Sequence, residues 1–182
     1  MASKEYSERY IYMFMDAMPA NLEFKLDDLK IVEMQQRHCA FELSMTEAAM
    51  EMLQMQPPLE KDKTLDAIED SIRRIRNGEE MECKETFPAA TLGVLWGWQL
   101  VTDANWKWCA VSQNWWETLA VCDQSQRYAI LPVQYFRRMT GDTGRLGEKC
   151  DSSAVTGPRQ LLNEIRSGKL PPQTCGKLVC IF

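Results

Sequence analysis

The sequence predicts an α+β fold: an antiparallel sheet of three to five strands with helices packed mainly on one face. Helical periodicity is strongest over residues 64–77, whereas β-branched and aromatic runs separated by short polar turns follow at 106–111, 116–122 and 128–131. The chain has 182 residues, of which 45 % are hydrophobic and 26 % charged, as in ordinary globular proteins. We therefore expect a single domain over residues 1–182.

Three parts of this domain differ in composition. Residues 1–85 are acidic and should be mainly helical, residues 86–135 combine a tryptophan-rich helix with a β-meander, and residues 136–182 should form a helix–loop–helix–strand tail. The first part carries 19 acidic and 11 basic side chains, whereas the other two together carry 7 and 10. Such polarity can steer a charged partner, unless the folded surface mixes the two signs of charge.

The elements of the first part begin with a helix over residues 29–36, opened by Asp27, and a short strand over 39–43. Ser44-Met45-Thr46-Glu47 then matches a capping box, which would start a second helix that ends before Pro57. The next helix is the most strongly patterned. It covers residues 64–77, and its apolar stripe is formed by Leu65, Ile68, Ile72 and Ile75.

The middle and last parts are predicted from proline positions and strand runs. Pro88 fits the first turn of a helix that extends to residue 103, and the three strand runs named above follow as an antiparallel meander. Pro132 and Pro158 each start a short helix, and residues 177–182 fit a final strand.

The charge and the cysteine content limit the classes of function that fit this sequence. A net charge of −5 disfavours nucleic acid as the partner, because phosphate neutralisation needs a basic surface. The seven cysteines are odd in number and widely spaced, which favours unbridged thiols in a reducing compartment. We find no export signal and no apolar run long enough to cross a membrane. The sequence therefore predicts a cytoplasmic protein without metal, cofactor or membrane partner.

All six tryptophans lie between residues 96 and 116. The first interpretation is that their rings fill the interface between a helix and the meander. The alternative is an aromatic pocket for a small ligand, which would make the protein a small-molecule binder or an enzyme. The pocket would be formed by Trp98, Trp106, Trp108 and Trp115.

Gly93 and Gly97 lie four positions apart and so share one face of the predicted helix. Each interior glycine costs a helix about 1 kcal/mol relative to alanine. We expect this cost to be offset by the close approach of another backbone or of a tryptophan ring to that face.

Catalytic chemistry is poorly supported by the sequence. The only histidine, His38, stands beside Cys39, and neighbouring residues on a strand would point to opposite faces, so the two side chains should not form a nucleophilic pair. We find no nucleophile motif and no metal-ligand spacing. The sequence therefore assigns no catalytic residues and favours a non-enzymatic protein.

The segment Leu92-Gly93-x3-Gly97-x2-Leu100, followed by Trp106 and a short meander, resembles a family of small bacterial proteins without a characterised activity. Some relatives in that family look like immunity proteins of toxin systems. The resemblance covers residues 87–135 and implies an inhibitor that binds a toxin. It carries over no catalytic residue.

The acidic first part supplies the candidate partner-binding residues: Asp62, Asp66, Glu69, Asp70, Glu79, Glu80 and Glu82. One interpretation is a solvated helix face, and the other is a docking face for a basic protein. Together with the resemblance, the second leads to our main hypothesis, a protein-binding protein that acts as an immunity-like inhibitor of a basic toxin. A self-associating structural protein is a third possibility.

Overall fold

The computed structural model describes residues 30–83, 88–113, 116–141, 156–170 and 179–181. These residues form five strands and five helices, in the order β1 (Lys30–Val32), α1 (Gln36–Met52), α2 (Lys61–Arg76), α3 (Pro88–Asp103), β2 (Lys107–Gln113), β3 (Trp116–Cys122), β4 (Tyr128–Ile130), α4 (Pro132–Thr140), α5 (Pro158–Arg166) and β5 (Val179–Ile181).

The strands form one sheet in the order β1-β2-β3-β4-β5. The first four pair antiparallel, with Val111 of β2 opposite Ile31 of β1 and Thr118 of β3. The α+β prediction is therefore confirmed. The one difference is that β5 pairs parallel to β4. A parallel partner needs a crossover connection, and the chain between β4 and β5 contains α4 and α5.

The helices pack mainly on one face of the sheet. Trp108 and Ala110 of β2 share that face with Leu119 and Val121 of β3, since residues directly opposite each other point the same way. Of these side chains, Trp108, Leu119 and Val121 join two buried clusters that also include residues of α1 to α5. Ala110 is fully buried. The opposite face of β2 and β3 carries smaller buried side chains: Cys109, Val111, Thr118, Ala120 and Cys122.

Helix α3 is the centre of the core. Trp96 is fully buried and stacks on Tyr135 of α4, with ring centroids 5.1 Å apart. A Cβ added to Gly93 would lie 2.5 Å from the carbonyl oxygen of Pro132, and one added to Gly97 would lie 2.8 Å from Cζ2 of Trp108. One glycine therefore admits a backbone and the other a tryptophan ring, so the expected close approach is confirmed at both positions.

The N-terminal elements differ from the prediction. Residues 30–32 form strand β1 where a helix over 29–36 was expected, and the single helix α1 covers both the expected strand at 39–43 and the expected helix start at Ser44. The capping-box prediction was wrong because an earlier start is available: the N–H of Gln35 donates to Nδ1 of His38 at 3.0 Å.

The later elements agree closely with the sequence. The helix expected at residues 64–77 is Lys61–Arg76, and the helix from Pro88 ends at Asp103 as expected. Strand β3 has the expected bounds, and the bounds of β2 and β4 differ from the expected ones by one or two residues. None of the helices in the described ranges combines the length and the apolar character needed to cross a membrane.

Candidate functional site

The acidic residues predicted to bind a partner lie on α2 and on the loop that follows it. The buried positions of α2 are Thr64, Leu65, Ile68, Ser71 and Ile72, and the carboxylates of this helix lie at other positions. Four carboxylates are on the helix, those of Asp62, Asp66, Glu69 and Asp70, and three are in the loop, those of Glu79, Glu80 and Glu82. Glu69 is partly buried and the other six are exposed.

Three of these carboxylates converge on one guanidinium group, that of Arg159 at the start of α5. Its Nη2 lies 2.5 Å from Asp66 and its Nη1 lies 3.3 Å from Asp62. Glu69 lies 3.4 Å from the Arg159 Nε and also accepts the backbone N–H of Arg159. Because Arg159 belongs to the basic tail of the sequence, the fold mixes the two signs of charge at this place.

Two further carboxylates are held by basic side chains of α2. Arg73 donates to Asp70 at 3.0 Å, and Arg74 donates to Glu79 at 2.8 Å. The second hydrogen bond raises the pKa of Arg74 above its ordinary value. Both pairs are largely exposed, so water and salt screen them. The acidic surface therefore consists of paired and solvated groups rather than a uniform negative patch.

A shallow groove runs beside the Arg159 cluster. It has a volume of about 480 Å³, and the charged or amide side chains along it are those of Glu69, Arg159, Gln160, Asn163, Glu164 and Lys169. Binding sites for small molecules are mostly concave and apolar. The open form of this groove and the charged and amide side chains along it instead suit an extended polar segment of a larger partner.

The rings of the alternative aromatic pocket contribute to packing. Trp106 is buried in the main cluster, and the partly exposed Trp98 and Trp108 meet edge to face with ring centroids 6.1 Å apart. Trp108 also fills the space left by Gly97. Trp115, the fourth ring of that pocket, lies outside the described residues. The three described rings thus have helix and strand neighbours that account for their positions.

A second polar cluster lies between α1 and β3. Arg37 donates to Glu117 at 2.8 Å, and Nε2 of the buried His38 lies 3.1 Å from the other oxygen of Glu117. His38 is only 1 % exposed, whereas its neighbour Cys39 is exposed. The side chains of His38 and Cys39 do not converge, which agrees with the expectation. The reason differs from the expected one, because the two residues lie on different faces of a helix and not of a strand.

Burial lowers the pKa of His38, because transfer out of water disfavours the charged ring. The charge of Glu117 raises the pKa by a smaller amount, and that of Arg37 lowers it. The Nδ1 of His38 accepts the N–H of Gln35, which requires that this nitrogen carries no proton. The structure therefore describes a neutral imidazole.

One helical turn further, Glu42 joins α1 to α3. Its carboxylate accepts a hydrogen bond from the indole N–H of Trp98 and another from the hydroxyl of Thr46. Glu42 is 9 % exposed, and these two donors, both bonded to its Oε1, offset part of the cost of burying the carboxylate.

Sequence reasoning missed Arg159, Glu42 and Glu117 as members of polar clusters. The signal for Glu42 was present, since His38, Glu42 and Met45 follow helical spacing once α1 starts at Gln36. Glu117 lies 80 positions from Arg37, and Arg159 lies 97 positions from Asp62. A single sequence carries no signal for such distant pairs.

Within the described ranges, no group of three or more histidine, cysteine or carboxylate side chains could hold a metal ion. Comparison of the chain with models of protein families, with curated proteins and with solved structures finds no match.

Proposed function

We propose that this chain is a non-enzymatic, cytoplasmic protein-binding protein whose α2 face docks on a basic partner. One observation carries the proposal: the carboxylates of Asp62, Asp66 and Glu69 already hold a guanidinium group, that of Arg159. A surface that positions three acceptors around its own arginine has the geometry to accept an arginine or lysine from another chain.

Docking would begin with long-range attraction. The exposed carboxylates of α2 and its following loop speed the encounter with a basic surface, and salt weakens this effect. In the complex, a basic side chain of the partner competes with Arg159 for Asp62 and Asp66, whose side chains are 81 % and 73 % exposed. The groove between α2 and α5 then receives the polar segment that carries this side chain.

The narrower form of the proposal is an immunity-like inhibitor. The carboxylates between Asp62 and Glu82 would meet the basic rim of a toxin active site. The resemblance of residues 87–135 suggests the toxin, and the acidic first part of the chain suggests the basic rim. The acidic face supports binding to a basic protein of any kind. The toxin itself would have to be found as the partner.

The test is affinity capture from an extract of the native cell at low salt, followed by titration of the purified partner. Three proteins are compared: the wild type, D62K/D66K and E33K/E47K. The last variant changes the net charge by the same amount at exposed positions outside α2. We expect a stoichiometric, basic partner with the wild type and with E33K/E47K, and at least a tenfold weaker Kd with D62K/D66K.

The outcomes separate the parts of the proposal. Equal affinity for all three proteins would show that α2 is not the docking face. No stoichiometric partner of the wild type at low salt would contradict protein binding altogether. Inhibition of an enzymatic activity of the partner is required for the narrower, immunity-like form.

A further inference from the structure

Two cysteines lie on the neighbouring strands β2 and β3 of one hairpin. Cys109 is paired with Ala120, and Cys122 is paired with Lys107. Residues two apart on a strand share a face, so Cys109 and Cys122 are diagonal neighbours on the same face of the sheet. Both side chains are buried, at 4 % and 0 % exposure.

The two thiols interact. Hydrogen bonding with the side chain of Cys109 is the largest influence on the pKa of Cys122, which it lowers. Burial and Asp123 raise that pKa, whereas the charge of Lys107 lowers it, and the net direction is downward. A lowered pKa favours the thiolate of Cys122, the nucleophilic form of cysteine.

We propose that Cys109 and Cys122 are a redox site that forms an intramolecular disulfide on reaction with hydrogen peroxide. The oxidant must be small, because both sulfur atoms belong to buried side chains. The site lies on the hairpin and does not involve the α2 face. Its test is therefore independent of the test of partner binding.

The reaction has two steps. The Cys122 thiolate attacks one peroxide oxygen, the O–O bond breaks, and the departing hydroxide is protonated to water, leaving a sulfenic acid on Cys122. The Cys109 thiol then loses its proton and attacks the sulfenic sulfur, so that the S–S bond forms, the S–O bond breaks and a second water leaves. Two thiols are oxidised by two electrons, and one peroxide is reduced to two waters.

Closing the disulfide requires a small movement of the strands. Diagonal neighbours in a sheet lie roughly 7 Å apart, and a disulfide holds its Cα atoms about 4.4–6.8 Å apart. An increase in the local right-handed twist between β2 and β3 shortens this diagonal. Oxidation should therefore change the environment of Trp108, which follows Lys107 on β2 and packs on Gly97.

The test exploits the positions of basic residues in the sequence. Trypsin releases residues 108–127 as one peptide, in which Cys109 and Cys122 are the only cysteines. The full-length reduced chain is treated with hydrogen peroxide, remaining thiols are alkylated in denaturant, and the digest is analysed by mass spectrometry. We expect this peptide without alkyl groups and lighter by two hydrogen atoms, and with two alkyl groups if a reductant precedes alkylation.

Three variants assign the roles. C39S removes an exposed thiol outside the hairpin and should leave the disulfide unchanged. C109S should stop the reaction at the sulfenic acid, so that dimedone labels Cys122. C122S should leave Cys109 alkylated and without a dimedone adduct. The wild-type measurement needs no variant, so it holds even if a substitution prevents folding.

The proposal is overturned if residues 108–127 still carry two alkyl groups after peroxide has oxidised Cys39. It is also overturned if Cys109 and Cys122 are found linked to other cysteine peptides. The same treatment in urea should give such mixed links, because the selectivity comes from the folded hairpin, and equal selectivity in urea would contradict the proposal.

Discussion

The protonation state of one side chain, that of His38, affects the stability of the whole fold. Its imidazole is neutral and buried, and burial holds its pKa below the ordinary value of about 6.5. The unfolded chain therefore takes up this proton at a higher pH than the folded chain does. The contribution of neutral His38 is fully present above about pH 6.5 and is lost as the pH falls from there through the folded pKa.

We predict that the free energy of unfolding falls as the pH is lowered from 7.5 to 5.5. Urea denaturation at several pH values measures it. His38 is the only histidine, so the variant H38Q should remove most of this dependence while its amide oxygen can still accept the N–H of Gln35. A variant with the same pH dependence as the wild type would show that another group is responsible.

Gly93 and Gly97 are also positions at which one residue decides the packing. We predict that G93A and G97A each lower the free energy of unfolding. Overpacking costs about 1–3 kcal/mol, and the gain in helix propensity offsets only about 1 kcal/mol. G93A should have the larger effect, because the added methyl meets the backbone of Pro132 rather than a side chain. Chemical denaturation measures both.

The matched control for these two variants is G157A. A Cβ at Gly157 has no atom within 4 Å, so G157A creates no clash and should cost only the weaker capping of α5 by alanine, about 1 kcal/mol or less. If G93A were more stable than the wild type, the close approach of α4 to α3 would be wrong.

At the scale of elements, Glu117 of β3 anchors the start of α1. It holds Arg37 and lies beside His38, so the two charged neighbours act on His38 in opposite directions. We predict that E117Q lowers the pKa of His38 and that R37Q raises it, because Glu117 raises this pKa and Arg37 lowers it in the wild type. The single histidine Cε1–H resonance in an NMR titration reports both.

If the pKa of His38 shifts in the same direction in E117Q and R37Q, or shifts in neither, this arrangement of α1 on β3 is contradicted. The stability of each variant at pH 7.5 is a useful companion measurement. Loss of the Arg37–Glu117 hydrogen bond should cost about 1 kcal/mol.

The elements that could be predicted are those whose local pattern agrees with their packing. Helix α2 has a continuous apolar stripe, and α3 begins at a proline, so both were found near their true bounds. Helix α1 was not, because Cys39, Ala40, Phe41 and Leu43 fit a strand run equally well. Its helical state depends on burial of Phe41 and Met45 against α3 and β3, which is a tertiary effect.

The same reasoning applies to the candidate site. Outward positions on α2 follow from helical periodicity, so the exposure of its carboxylates was predictable. Their pairing was not, because Arg159 reaches Asp62 and Asp66 across more than 90 positions of sequence. A single sequence shows that charges of opposite sign exist but not which of them meet.

At the scale of the whole molecule, Arg159 brings the basic tail onto the acidic helix. We predict that R159M is less stable than the wild type at low salt, by about 1 kcal/mol or less, because Asp62, Asp66 and Glu69 then repel one another. The deficit should shrink in 1 M salt, where the Debye length falls to about 3 Å. Urea denaturation at the two salt concentrations measures this difference.

The control is R166M, which removes the same charge from an exposed position of the same helix. If R166M shows the same salt-dependent loss, net charge rather than the Arg159 cluster is the cause.

The proposed function makes a further prediction for the same variant. If Arg159 occupies the place of a partner's basic side chain, R159M should bind the purified partner more tightly than the wild type does. Isothermal titration calorimetry at low salt measures the two Kd values. Weaker binding by R159M would show that Arg159 contributes a direct contact instead of competing with the partner.

The contact between Gly97 and Trp108 has a consequence for how this sequence can vary over evolution. Neither residue can change in size by itself, since a larger side chain at 97 collides with the indole and a smaller ring at 108 opens a void beside α3. Homologous chains should therefore show compensating substitutions at these two positions, with alanine or serine at 97 accompanied by a smaller side chain at 108.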